Sequence, residues 1–228
     1  MILAIDTATR QAGVALMREG EVVGELSWVG AGNHSSTLTP SVRRLLELTA
    51  ADLSAIEAIV VCSGPGSFSG LRVGISEAKG LGMALDVPVV GIPSLDALAL
   101  SGIALAQPLW AVLGAGRGRV YLARYDGTPS ALRRTSDYAL SGLAEAAQQV
   151  DGEAITGDEA REVAAESAAR GGSAAALPPV WHLRRPGFLA ELGRRYLEEG
   201  GTDQRDVLEP LYLRLSAAEE KRAATLQE

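Results

Sequence analysis

The sequence predicts an α/β fold in two lobes, each begun by strands and completed by helices, and three observations carry that expectation. Short apolar runs at residues 1–5, 58–62 and 109–113 each break into a polar or glycine-rich turn, as buried strands do. Stretches between them space their apolar residues three and four apart, as helices do. The opening pattern of run and hairpin starts again near residue 109 in shorter form, which reads as an internal duplication of strand, strand, strand, helix. With 228 residues, 47% of them apolar, the chain can bury the core of one large domain or two small lobes.

The elements follow in order. The strand at 1–5 meets the polar turn Asp6-Thr7-Ala8-Thr9. Strands at 13–17 and 21–28 flank Arg18-Glu19-Gly20, where glycine supplies the backbone freedom of a hairpin turn. Leu38, Val42, Leu45, Leu46 and Thr49 predict a helix over 38–50, with Thr39 as its cap and Pro40 in its first turn. The strand at 58–62 enters Ser63-Gly64-Pro65-Gly66-Ser67-Phe68-Ser69-Gly70, and a helix follows over 71–85. A strand at 88–91 and a helix at 96–100 complete a first lobe spanning 1–102. The second lobe, 103–215, opens with strands at 109–113 and 119–125 around the turn Gly114-Ala115-Gly116, with Asp126-Gly127 as the next hairpin signal. Helical pieces at 140–149, 158–170 and 187–199 fill the rest. The tail over 216–228 is charged and alanine-rich, and reads as a frayed helix or flexible end.

Composition narrows the function. A formal charge of −7 argues against gripping a polyanion through the chain's own field. Cys62, the single cysteine, sits in an apolar strand and points to a small core residue in a reducing, cytoplasmic setting. No run approaches the roughly 20 apolar residues of a membrane span, and the N-terminus lacks the pattern of an export signal.

Several chemistries lack their residues. The two histidines, His34 and His182, have no partner at metal-ligand spacing, so the expectation is no metal site. The glycine loop before the second helix could face an anion with its amides, but it runs into Ser69-Gly70-Leu71-Arg72 without the lysine of a phosphate-binding loop. Its glycine spacing also misses the dinucleotide fingerprint, and a sharp turn between strand and helix explains it as well. Asp6, with Thr7 and Thr9, ends the first strand, a place from which a carboxylate could orient magnesium for phosphoryl transfer. An aspartate at a strand end also satisfies turn amides, and Gly114-Ala115-Gly116 brings no acidic partner, so these three read as degenerate nucleotide-loop positions. Ser67 and Ser69 lack a nucleophile-elbow context.

Gly70, Gly74, Ala78 and Gly82 recur every fourth residue along the helix over 71–85, making one stripe of small side chains. Interior glycines cost roughly 1 kcal/mol each relative to alanine, so close approach of another backbone is expected in return. That backbone belongs either to the chain itself, in its sheet or in the helix over 38–50, or to a partner.

Ile2-Leu3-Ala4-Ile5-Asp6-Thr7-Ala8-Thr9, His34-Ser35, Gly64 through Gly74, Ala78-Lys79-Gly80-Leu81 and Glu209-Pro210-Leu211-Tyr212-Leu213-Arg214 together resemble the TsaB (YeaZ) family. The resemblance implies a two-lobed actin-like fold of the ASKHA, ribonuclease H-like type, each lobe a mixed sheet flanked by helices and the second reduced. It further implies a non-catalytic subunit, without a cofactor of its own, in the attachment of threonylcarbamoyl to adenosine 37 of tRNA. Its expected partners are the catalytic subunit TsaD and the ATPase TsaE, with a homodimer when alone and tRNA only indirectly. The helices of the first lobe are the implied partner surface, which gives Gly70, Leu71, Gly74, Ile75, Ala78, Gly82, Leu38, Val42 and Leu45 as candidate interface residues. One stretch departs from the family: where relatives read Asp-Ala-Arg-x-Gly-Glu-Val-Tyr, this chain reads Gly114-Ala115-Gly116-Arg117-Gly118-Arg119-Val120-Tyr121. The competing expectation is an enzyme, either a glycoprotease-like peptidase or an ATP-dependent phosphotransferase.

Overall fold

The computed structural model describes residues 1–30 and 33–214; the tail expectation for 216–228 lies outside them. The first five strands are β1 (Ile2–Asp6), β2 (Gln11–Arg18), β3 (Glu21–Val29), β4 (Ala58–Gly64) and β5 (Val89–Pro93), in the order β3-β2-β1-β4-β5. The meander β1 to β3 is antiparallel, whereas β4 and β5 add in parallel. Every residue of β4 is buried, as parallel central strands covered on both faces require, which is why its sequence is a run and not an alternation. Glu19 and Gly20 both take positive φ, the geometry of a two-residue hairpin turn.

Alternate residues of β1 face different helices. Leu3 and Ile5 join Val14, Leu16, Ile59 and Val61 beneath α1 (His34–Leu48) and α2 (Phe68–Leu85), contributing to one core. Ala4, with Ala15, Val60 and Cys62, faces the opposite side and meets α3 (Ser94–Gly102) and α6 (Pro186–Glu198). Gly193 lets α6 come close, since a Cβ there would lie 2.2 Å from Val60 Cγ2.

The second sheet contains β6 (Leu109–Gly116), β7 (Arg119–Thr128), β8 (Ala131–Arg134), β9 (Ala139–Gly142), β10 (Ala154–Thr156) and β11 (Ala175–Ala176), ordered β11-β10-β6-β7-β8 with β9 on β7. Directions also match the first sheet: antiparallel through β6, β7 and β8, parallel through β10 and β11. The duplication legible as a strand pattern is therefore a duplication of topology, with shorter outer strands in the second copy. Helices α4 (Leu143–Gln149) and α5 (Ala160–Ala169) cover the outer face around Val112, Leu122 and Ile155. The inner face packs Leu109, Ala111 and Tyr125 on Leu95, Leu98, Phe188 and Leu192. α3 and α6 thus form a shared central layer between two sheets, completing a two-lobed actin-like architecture.

Three local expectations need correction. α1 begins at His34, so Pro40 lies inside the helix and Thr39 caps nothing; its hydroxyl donates to Glu77 Oε1 of α2 at 2.8 Å. Asp126-Gly127 is within β7, with Gly127 paired to Leu132, and the chain reverses beyond Thr128. Gly114-Ala115-Gly116 is the end of β6, while Arg117 and Gly118, both at positive φ, make the turn. The two strand errors placed the break at the first glycine-bearing dipeptide, whereas ladder pairing carried the strand past it. No described helix is long and apolar enough to cross a membrane.

Candidate functional site

Between the lobes lies a cleft of about 1020 Å³. Thr9, Arg10 and Gln11 from the β1–β2 turn and Gly66 to Ser69 at the start of α2 form one wall; the end of β6 and residues 158–162 form the other. Pro179, His182 and Leu183 before α6, and Leu211, Tyr212 and Arg214 after it, also line it.

The glycine loop is shaped by the turn it sits on. A Cβ on Gly66 would lie 2.2 Å from Ala8 O, and one on Gly70 would lie 2.2 Å from Thr7 O. Ser67 N donates to Ala8 O at 2.6 Å, and Thr7 Oγ1 donates to Gly70 O at 2.7 Å. Ser67 then caps α2 by accepting from Gly70 N. These glycines therefore serve close approach of α2 to the β1 turn.

Asp6 ends β1 behind the cleft lining, which this turn enters at Thr9. Its Oδ1 accepts from Ala8 N at 2.9 Å, and its Oδ2 accepts from Arg184 Nε at 2.9 Å. The two side chains are only 4% and 1% exposed, respectively. Arg184 Nη2 also donates to Thr9 Oγ1 and Gln11 O, while the Gln11 amide exchanges two hydrogen bonds with the Arg184 backbone. Burial works against the Arg184 charge, but the adjacent Asp6 carboxylate outweighs it and holds the guanidinium above its ordinary value. Burial, followed by the Asp6 charge, pushes the neighbouring Cys62 thiol up. The aspartate is thus engaged by a guanidinium from 178 residues away in sequence.

The opposite wall holds carboxylates that the sequence reading did not anticipate. Asp158 Oδ1 accepts from Gly114 N at 2.9 Å, and Glu159 touches the space beside Gly114. Burial raises Glu159, with Asp158 and Glu162 adding to the shift. The β10–α5 junction thus sets acids beside the end of β6; Asp158 following Gly157 after a short strand was the available signal. Asp158 adds a smaller electrostatic contribution to the raised Arg184 guanidinium, behind that of Asp6.

Both histidines are committed to backbone. His34 Nε2 lies 2.9 Å from Thr9 O and His182 Nε2 lies 2.6 Å from Leu177 O, so each must carry its proton on Nε2 to donate. Ser67 Oγ is 3.4 Å from Ser69 Oγ. Among the described residues, no three His, Cys, Asp or Glu side chains gather to hold a metal ion.

The small-residue stripe faces inward. Gly70, Leu71, Gly74, Ile75, Ala78 and Gly82 of α2 and Leu38, Val42 and Leu45 of α1 are all buried in the first lobe. A Cβ on Gly74 would lie 2.3 Å from Thr7 Oγ1, and one on Gly82 would lie 2.4 Å from Val89 Cγ2. Contact with the chain's own sheet accounts for the stripe. A second series of small residues points outward: Ser76, Gly80 and Ala84 are exposed, a Cβ on Gly80 would meet nothing within 4 Å, and Met83 is 72% exposed.

Residues 28–178 match a family model described as TsaD: tRNA N6-adenosine threonylcarbamoyltransferase. The chain is 39% identical over 127 residues to the tRNA threonylcarbamoyladenosine biosynthesis protein TsaB of Bacillus subtilis, a match covering 54% of each chain. It thus spans about half the length of the curated relatives it matches. YeaZ from Pseudomonas aeruginosa superposes with a TM-score of 0.77 at 27% identity, covering 93% of this chain and 99% of that one. The activator of the 2-hydroxyisocaproyl-CoA dehydratase from Clostridium difficile, solved with bound ADPNP, shares the fold at a TM-score of 0.51, with 11% identity and coverage of 95% and 99%.

Proposed function

Because this chain belongs to the TsaD family of tRNA N6-adenosine threonylcarbamoyltransferases, in its TsaB/YeaZ branch, we propose that it takes part in making threonylcarbamoyladenosine on tRNA as a non-catalytic subunit. The observation that carries this reading is the buried Asp6–Arg184 pair. A phosphoryl-transfer site needs a carboxylate free to orient metal or water. Here the carboxylate lies against a fixed positive charge whose Nη2 is also engaged, by Thr9 Oγ1 and Gln11 O. A peptidase would need a histidine poised on Ser67 or Ser69, and both histidines donate to backbone carbonyls instead.

Its contribution is then binding. The exposed faces of α1 and α2 meet through the Thr39–Glu77 hydrogen bond and carry Pro40, Arg43, Ser76, Gly80 and Met83. An exposed helix glycine with open space above it costs helix stability without an internal contact in return. Close approach of a partner helix supplies that return, and the partner we assign is the catalytic subunit TsaD, with a second copy of this chain taking its place when TsaD is absent. TsaE joins through the resulting pair, and tRNA is held by the complex, in keeping with a net charge of −7.

The test is modified tRNA formed by the matching TsaC, TsaD and TsaE with threonine, bicarbonate and ATP, with and without this chain. Product that requires the chain, which alone turns over nothing, supports the reading. Product formed equally without it removes the role and leaves the fold.

A further inference from the structure

After α6 the chain doubles back along β5. Asp203 Oδ1 accepts from Val89 N, Gln204 N donates to Val89 O, and Gln204 Oε1 accepts from Gly91 N, each at 2.9 Å. Leu208 is buried in the first lobe's core. Residues 203–208 are therefore fixed to the first lobe.

Beyond Pro210 the anchoring changes character. Leu211 N donates to Ser63 O at 2.7 Å, at the end of β4. The Tyr212 ring stacks on Phe68 with centroids 4.8 Å apart, its hydroxyl accepts from Arg72 Nε at 3.0 Å, and the Arg72 guanidinium lies 4.0 Å over the Phe68 ring. Leu213 is half-buried against the second lobe's core, and Arg214 Nη1 donates to Ala115 O at 2.6 Å. Within four residues the chain passes from one wall of the cleft to the other. Tyr212 remains 39% exposed and Phe68 36%, so this aromatic stack sits at the surface.

We propose that residues 209–214 form a clasp across the cleft mouth that opens separately from both cores, with the Tyr212–Phe68–Arg72 stack as its latch. Segments held by exposed contacts open locally at a fraction of the global unfolding free energy. Opening frees the β4 end from the β6 end and bares Phe68 on the first turn of α2. The cleft and the outer face of α2 are thereby linked through one side-chain stack. The inference rests on this geometry and is independent of the role proposed above.

Amide hydrogen exchange on the full chain, resolved by NMR, tests it. In the unaltered protein Leu211 is expected to exchange faster than Val60 in β4 and faster than Gln204. Tyr212→Ala should accelerate Leu211 about tenfold, the scale of one aromatic pair with its cation–π contact, and leave Val60 and Gln204 unchanged. Tyr212→Phe, which keeps the stack and loses the Arg72 bond, should fall between. Leu211 exchanging at the rate of Val60 in the unaltered protein overturns the clasp, as does a Tyr212→Ala variant that leaves Leu211 unchanged or accelerates all three amides equally.

Discussion

Arg184 and Asp6 form a buried ion pair, and the physical chemistry of such pairs fixes what their removal does. The pair as a whole adds little stability, because both ions lose their hydration. Removing one partner leaves the other buried and uncompensated, so Arg184→Met should destabilise the protein by about 3–5 kcal/mol in urea or guanidinium unfolding. Adding Asp6→Asn to it should recover a large part of that loss; a double variant as unstable as the single one would show that Arg184 acts through packing. Asp6 was legible as a strand-end carboxylate. Its partner was not, because nothing in the local pattern around Arg184 distinguishes it from Arg185, which lies at the surface. Asp96 offers a second residue-scale test. Its Oδ1 accepts from the hydroxyls of Tyr125 and Tyr138 at 2.6 and 2.7 Å, and burial raises it despite those bonds. A carboxylate raised in the folded state holds its proton where the unfolded chain has released it. Its contribution is therefore greatest in acid and declines as pH rises from the ordinary carboxylate range through the raised value. Asp96→Asn keeps an oxygen acceptor for both tyrosines and removes the titration, so the unfolding free energy of the variant should vary less with pH across that window. Identical pH profiles would rule this out.

At the scale of elements, α2 carries two small-residue series with opposite consequences. Gly74 faces Thr7 with no room for a Cβ, whereas Gly80 faces open space. Gly74→Leu should therefore overpack the first lobe and cost about 1–3 kcal/mol or more. Gly80→Leu should leave stability unchanged or raise it by roughly 0.5–1 kcal/mol through helix propensity. On the proposed partner surface the effect reverses: Gly80→Leu should abolish co-elution with TsaD while its thermal transition stays cooperative. Co-elution as tight as that of the unaltered chain would move the partner surface elsewhere. The sequence showed that α2 must be approached closely, since glycine at every fourth position has that meaning. It could not show by what, because the phase of the helix relative to the sheet is set when β4 and the β1 turn come together. The same dependence on tertiary contact explains the early start of α1: His34 bonds Thr9 O and Leu38 enters the core, and those contacts draw in the residues ahead of Pro40.

At the scale of the whole molecule, the duplication was legible because each copy begins with an apolar strand and hairpin, whereas the central layer was not. α6 lies in the second half of the chain, yet Leu189 and Ala190 pack on Ala4, Ala15 and Val60 of the first sheet. Local periodicity marks its apolar face without saying which sheet that face meets. We propose that the first lobe is complete only with this returning segment, although its strands end before residue 102. A chain ending at 102 would leave the α6 face of the sheet open to water, and it should melt without a cooperative transition and bind a hydrophobic dye. Gly102 lies beside Leu177, since a Cβ there would fall 2.9 Å from Leu177 Cδ1. A short glycine-serine linker can therefore join residues 1–102 directly to 177–208. That joined chain should recover a cooperative transition by circular dichroism, at a lower temperature than the full chain because Leu98, Phe188 and Leu192 lose the cover of the second sheet. Cooperative melting of 1–102 alone, without dye binding, would mean that the sheet and its outer helices suffice and that α6 belongs to the second lobe.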